Sequence, residues 1–159
     1  FPTRRSSDLH DACSFAIYLF RHADENSGYI ELAEELLRFS EDQFVVWEKP
    51  MPHRYTRAQR WILPCALEQY EYYVPIDASA SKLMNTYLEA YRVTAKDLYL
   101  AKAIEFANAM TVSQLEDTGR YPTYWEWNDR RTDDEGWLNC ATSDVKAMMN
   151  IQNYLNIKN

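Results

Sequence analysis

Apolar positions recur at three- and four-residue steps along most of this chain, the period of an amphipathic helix. The first such run spans His10 to Ala23, with Ala12, Phe15, Ala16, Leu19 and Phe20 on one side. Asp24–Gly28 interrupts it, and Asn26 or Ser27 can cap the next helix. The second run, about Tyr29 to Gln43, sets Ile30, Ala33, Leu36, Leu37 and the adjoining Phe44 inward. Glu31, Glu34, Glu35 and Arg38 fall on its other side. A third helix is predicted over Asp77 to Val93, on Ala80, Leu83, Met84, Tyr87, Leu88 and Tyr91. A fourth comes after Thr94–Asp97 and runs to about Leu115, with Leu100, Ala103, Ile104, Ala107 and Met110 inward. A fifth starts near Cys140 and ends near Leu155, with Ala141, Val145, Met148 and Ile151 in register.

The connections alternate in length. Residues 24–28 and 94–97 are short polar turns, whereas 44–76 and 116–139 are long. Pro50 and Pro52 stop any continuation of the second helix. Arg60 to Tyr70 is predicted as a short helix interrupted by Pro64. If successive helices run antiparallel, the short turns share one face of the array and the long connections share the other. The long ones carry all five tryptophans, Trp47, Trp61, Trp125, Trp127 and Trp137. Tyr55, Tyr70, Tyr72, Tyr73, Tyr121 and Tyr124 accompany them, with the acids Glu48, Glu68, Glu126 and Asp129. Rings and acids gathered on one face suggest a ligand there.

Composition narrows the choices. The 159 residues suit one domain, and 47% hydrophobic content supports a packed core. Gly28, Gly119 and Gly136 are the only glycines, and all lie outside the strongest helical runs. Net charge is −7. Nucleic acid is not expected as a partner, because its binding uses clustered Lys and Arg to displace counterions. Here Arg54, Arg57 and Arg60, and Arg130 with Arg131, sit among acids and aromatics. No apolar run approaches the about 20 residues of a membrane span, so no membrane partner is expected. Cys13, Cys65 and Cys140 lack metal-ligand spacing and read as small buried hydrophobes. No His/Asp/Glu cluster has metal spacing, no Ser or Cys sits in a nucleophile motif, and no Gly-rich phosphate loop occurs. No metal and no cofactor is expected.

The two complete helix pairs read as copies. Tyr18–Leu19 corresponds to Tyr87–Leu88. Tyr29, Ile30, Ala33 and Leu36 correspond to Tyr99, Leu100, Ala103 and Phe106, about seventy positions on. The segment Ser81 to Met110, SKLMNTYLEAYRVTAKDLYLAKAIEFANAM, resembles a helix pair of the six-hairpin glycosidase-like (α/α)-toroid proteins. These include unsaturated glucuronyl hydrolases and related polysaccharide-degrading proteins. Their unit has an inner helix ending in a Leu…Tyr pattern, a TGD-like turn, and an outer helix opening Tyr-Leu-x-x-Ala. Thr94–Asp97 followed by Tyr99-Leu100-Ala101-Lys102-Ala103 fits, with Ala95-Lys96 replacing the glycine and acid. The likeness extends over about residues 10–155. It implies an all-α fold of antiparallel helical hairpins, an arc of an incomplete (α/α)6-type toroid. The remaining hairpins of a parent chain would then be partners. The segment Phe1 to Leu9, FPTRRSSDL, resembles a translated sequencing adapter. The expected organisation is therefore a non-native segment 1–9 followed by a partial toroid domain, 10–159, and the compartment is left open.

In that family the substrate funnel lies where connections enter the inner helices, the face already singled out by loop length. The resemblance thus implies a carbohydrate substrate, with cleavage of a glycosidic linkage by hydrolysis or by elimination. Sugar chemistry uses aromatic platforms and a pair of carboxyl groups, one held protonated by an apolar setting. Glu68, between Leu67 and Tyr70, is the candidate general acid; the competing reading is a structural carboxylate. Asp77 opens the third helix, as an N-cap or as a funnel acid. Glu48 and Glu126 complete the catalytic candidates. Trp47, Trp61, Tyr70, Tyr73, Tyr124, Trp125, Trp127 and Trp137 are the substrate-binding candidates, with core plugging as the alternative for Trp125 and Trp127. Asp144, one turn into the fifth helix, can face the funnel. Tyr73 or Tyr124 could serve elimination as a phenol base. His53 and Asn139 read as an exposed loop residue and a helix cap. Two rivals stand beside this reading: another toroid enzyme such as a sugar epimerase, and a non-enzymatic helical-repeat scaffold.

Overall fold

The computed structural model describes residues 7–48, 61–68, 74–125, 131–132 and 138–157. Five helices occur among them: α1 (Ser7–Arg21), α2 (Gly28–Phe44), α3 (Asp77–Thr94), α4 (Asp97–Ser113) and α5 (Leu138–Ile157). The fold is mostly helical, and the helices fall where the apolar periodicity puts them. α1 starts three residues earlier than the periodicity suggests, at Ser7, and Leu9 is fully buried in the core. Asp8 in its first turn and Arg21 in its last both suit the helix dipole. Its buried stripe is Leu9, Cys13, Ala16 and Phe20, with Leu19 beside it. Phe15, expected inward, is 49% exposed. It stands one residue, about 100° of helix rotation, from Ala16 at the centre of that stripe.

The turn between α3 and α4 is closed without a glycine. Ala95 adopts a left-handed conformation (φ 55°, ψ 21°), and its N–H bonds the Tyr91 carbonyl at 2.8 Å. This is the αL helix stop that glycine normally supplies. Lys96 points back to pair with Glu34 of α2, which also accepts the Tyr99 hydroxyl at 2.9 Å. The repeat matches unevenly. Ala33 and Ala103 are both fully buried, but Tyr18 is half exposed where Tyr87 is completely covered.

Side-chain contacts fix the helix directions. His10 and Arg21 on α1 meet Ser79 and Glu89 on α3 in the same order. Asn150 and Tyr154 of α5 meet Asn85 and Tyr91 of α3, again in the same order. So α1, α3 and α5 run parallel, with α3 in the middle. α2 and α4 return antiparallel against α1 and α3; Tyr99 near the start of α4 stacks on Tyr87, while Ser113 at its end reaches Asp77. The long connections therefore leave and re-enter the helices at the end where α1, α3 and α5 begin.

Those connections are not helical or irregular throughout. Cys65–Glu68, within the predicted short helix Arg60–Tyr70, is a strand, β2. It pairs antiparallel with β1 (Val45–Val46) and with β3 (Val74–Pro75), in registers Val45↔Ala66 and Glu68↔Val74. Pro64 denies a helix its interior N–H donor there, and two flanking chains offer ladder partners instead. A second antiparallel pair joins β4 (Tyr124–Trp125) to β5 (Arg131–Thr132). The fold is mostly helical, consistent with the all-α expectation, and carries two small sheets among the described residues.

Candidate functional site

Three polar clusters lie at the end where α1, α3 and α5 begin. In the first, β2 carries Glu68 to a position only 4% exposed. The β2–β3 pairing contributes to this, because β2 also packs against α3. Its Oε1 has no hydrogen-bond partner among the described residues and lies 3.3 Å from His10 Nε2. The same nitrogen is 3.4 Å from Ser79 Oγ. Burial pushes the Glu68 carboxyl up to about 7, and a hydroxyl bond from Ser79 only partly opposes it. Burial and the nearby Lys82 ammonium hold His10 below its ordinary value, with Asp11 acting in the other direction.

The second cluster centres on Asp144, 1% exposed on the first turns of α5. Its Oδ1 has no hydrogen-bond partner among the described residues. Burial raises its carboxyl to about 7, with a Ser81 hydroxyl bond acting in the other direction. The Tyr121 phenol is raised as well, first by burial and then by Asp144 and Asp77.

The third is Asp77, 6% exposed. It is the first residue of α3 and not its N-cap; Ile76 takes that place with no side-chain cap. Ser113 Oγ lies 2.9 Å from Asp77 Oδ2 and 2.8 Å from the Met110 carbonyl. A serine at the end of α4 is thereby tied to an acid at the start of α3. A cavity of about 10 Å³, room for about one water, adjoins them beside Cys65 and Pro64.

The other candidates scatter. Trp47 is part-buried over Tyr87 and Phe106, with ring centroids 6.5 and 5.6 Å away, and its indole donates to Glu41 at 3.1 Å. Trp61 is 5% exposed in a small cluster with Cys65. Glu48 is exposed beyond β1. Tyr124 and Trp125 form β4. Asn139 lies inside α5 rather than at its cap. Tyr70, Tyr73, Glu126, Trp127, Trp137, His53, Arg54, Arg57 and Arg60 lie outside the described residues. So Glu68 and Asp77 come to one end together with Asp144, while Trp47 serves the core. His10, Ser79 and Ser113 are not evident as site residues from the sequence, although serines at positions 79 and 81, within the apolar start of α3, are a readable signal.

A groove of about 350 Å³ runs between the segment after α4 (Gln114, Arg120, Tyr121) and the α5 stripe Val145, Met148, Met149. Val145 and Met149, the first of them expected inward, are about half exposed. Among the described residues no group of His, Cys, Asp and Glu could hold a metal ion, and no helix is long and apolar enough to cross a membrane. No family model, curated protein or solved structure matches the chain.

Proposed function

We propose that the chain is part of a carbohydrate-active (α/α)-toroid protein acting at a glycosidic linkage, with Glu68 as proton donor. One observation carries the reading. Glu68, at the end where the long connections enter the parallel helices α3 and α5, has its carboxyl pushed up to about 7 by burial. A glycosidase acid needs that property, because it must hold a proton at working pH and give it to the leaving oxygen. Asp77, whose Oδ2 lies 2.9 Å from the Ser113 hydroxyl, is the candidate for the second carboxyl. Further hairpins of a longer chain would complete the funnel around a neutral or uronic-acid glycan.

The test is turnover by the protein in its complete reading frame against a panel of neutral and uronic-acid oligosaccharides. Chromatography reads hydrolysis, and ultraviolet absorbance of the unsaturated product reads elimination. Glu68→Gln should lower turnover at least about 100-fold. Turnover that survives the substitution sinks the assignment. The second reading is a non-enzymatic helical scaffold, favoured by the near-complete burial of Glu68 and Asp144. It predicts no turnover on any glycan and an acid-to-amide change felt only in stability.

A further inference from the structure

Glu68 is buried, yet a proton donor must be reloaded from water after each turnover. His10, from a different element, brings its Nε2 to 3.3 Å from Glu68 Oε1. The His10 side chain is 39% exposed and the Glu68 side chain 5%. The imidazole therefore spans the boundary between solvent and the buried carboxyl. From the geometry we propose that His10 is the proton relay of Glu68, carrying protons between water and Oε1.

The step balances in atoms and charge. The exposed ring takes a proton from water on Nδ1 and becomes an imidazolium. Its Nε2–H bond breaks, the proton passes to Glu68 Oε1, and an O–H bond forms there. The ring is left neutral with Nδ1–H and returns to its starting tautomer by exchange with water. The 3.3 Å separation is short enough for this; Oε1 takes no hydrogen bond from the ring at rest, so the ring must turn to align, as unliganded acid–base pairs commonly do. Three elements hold the pair in place: α1 brings His10, β2 brings Glu68, and α3 brings Ser79, whose hydroxyl lies 3.4 Å from the same Nε2. The other charged or titratable groups facing the pair are Asp11 on α1, Lys82 on α3 and the buried thiol of Cys13. Lys82 disfavours a lasting imidazolium, which keeps the relay proton transient rather than trapped as a stable ion pair.

The relay itself rests on geometry alone; its use in reloading an acid rests on the carbohydrate reading. The experiment follows Glu68 protonation by time-resolved infrared after a pH jump from about 8 to about 6, a range bracketing the carboxyl titration. The carboxyl band is assigned by its loss in Glu68→Gln. His10→Gln should slow proton uptake at Glu68 about tenfold or more, and free imidazole should restore part of the rate. His22→Gln, just past the far end of α1 and paired with Glu25, should leave the rate near that of the unaltered protein. If His10→Gln perturbs α1, His10→Asn gives the same readout, with circular dichroism as the folding control. Uptake at the unaltered rate in a folded His10 variant, or a slowed rate that imidazole does not restore, overturns the relay. The two ideas fail separately. His10-dependent uptake in a protein that turns over no glycan keeps the relay and removes the carbohydrate reading. Glycan turnover with His10-independent uptake does the reverse.

Discussion

The Tyr87 hydroxyl on α3 donates to Glu41 Oε2 on α2 at 3.0 Å, across 46 positions of chain. Glu41 also accepts the Trp47 indole at 3.1 Å and holds the Lys102 ammonium of α4 at 2.6 Å from both oxygens. That ammonium lies 5.4 Å from the Trp47 ring centroid and 5.5 Å from that of Tyr87. One carboxylate thus joins three helices and the start of a long connection. The buried Tyr87 phenol is raised well above its ordinary range, by burial first and then by this acid.

Glu41→Ala should therefore destabilise the protein by about 2–4 kcal/mol, because it strands a half-buried ammonium and a buried hydroxyl together. Tyr87→Phe removes one hydrogen bond and keeps the ring, so about 1 kcal/mol is expected. Urea unfolding monitored by tryptophan fluorescence measures both. Equal, small losses for the two variants would mean that the carboxylate is not the junction.

Stability should fall as pH rises from about 4 to about 7. The sign comes from proton binding. Glu68 and Asp144 are raised by burial from 4.5 and 3.8 to about 7 in the folded chain. Between those values the folded state holds protons that the unfolded state has released. Their stabilisation is complete below the unfolded values and gone above the folded ones, on the order of 3–4 kcal/mol each. Glu68→Gln and Asp144→Asn should flatten this part of the pH profile and raise the urea midpoint at pH about 8. Parallel profiles for the variants and the unaltered protein would show that neither acid is titrating in this window.

Ala95→Gly should stabilise. The residue sits at φ 55° as the αL stop of α3, a conformation costing an L side chain about 1–2 kcal/mol. Glycine removes that strain but loosens the unfolded chain, leaving a net gain of about 0.5–1 kcal/mol. Gly119 is the converse case. At φ 68° it has open space around any added Cβ, so Gly119→Ala should cost about 1 kcal/mol through the backbone alone. Thermal unfolding distinguishes these outcomes, and a lower melting temperature for Ala95→Gly would contradict the first.

Cys13 and Cys65 should resist thiol reagents in the folded protein. Both are buried and free, and burial pushes Cys65 up to about 12 and raises Cys13 too. The thiolate is the reactive form, so labelling at pH 8 should track global unfolding in urea. Fast labelling at either position, read by mass spectrometry, would show that the ends of α1 or β2 open locally.

The helices were legible because their signal is local. A stripe such as Ala80, Leu83, Met84, Tyr87 and Leu88 repeats with the helical period, and any fold using α3 must bury it. The alternation of short and long connections likewise requires, for antiparallel neighbours, that the long ones share an end, and Asp77, Glu68 and Asp144 do meet there. Cys65–Glu68 was not legible as a strand. Four residues behind a proline carry no usable period, and the partners that make them a ladder, Val45–Val46 and Val74–Pro75, are distant in sequence.

Side-chain pairing was decided only by the tertiary structure. Nothing near His10 announces Glu68, far along the chain, and nothing near Glu41 announces Tyr87 and Lys102. The sequence by itself determined where helices run and that the long connections share one end, since periodicity and turn chemistry act over a few residues. Which acids are buried, and which are left without partners, depended on how α1, α3 and α5 lie side by side, because desolvation and charge pairing are set by neighbours in space and not along the chain.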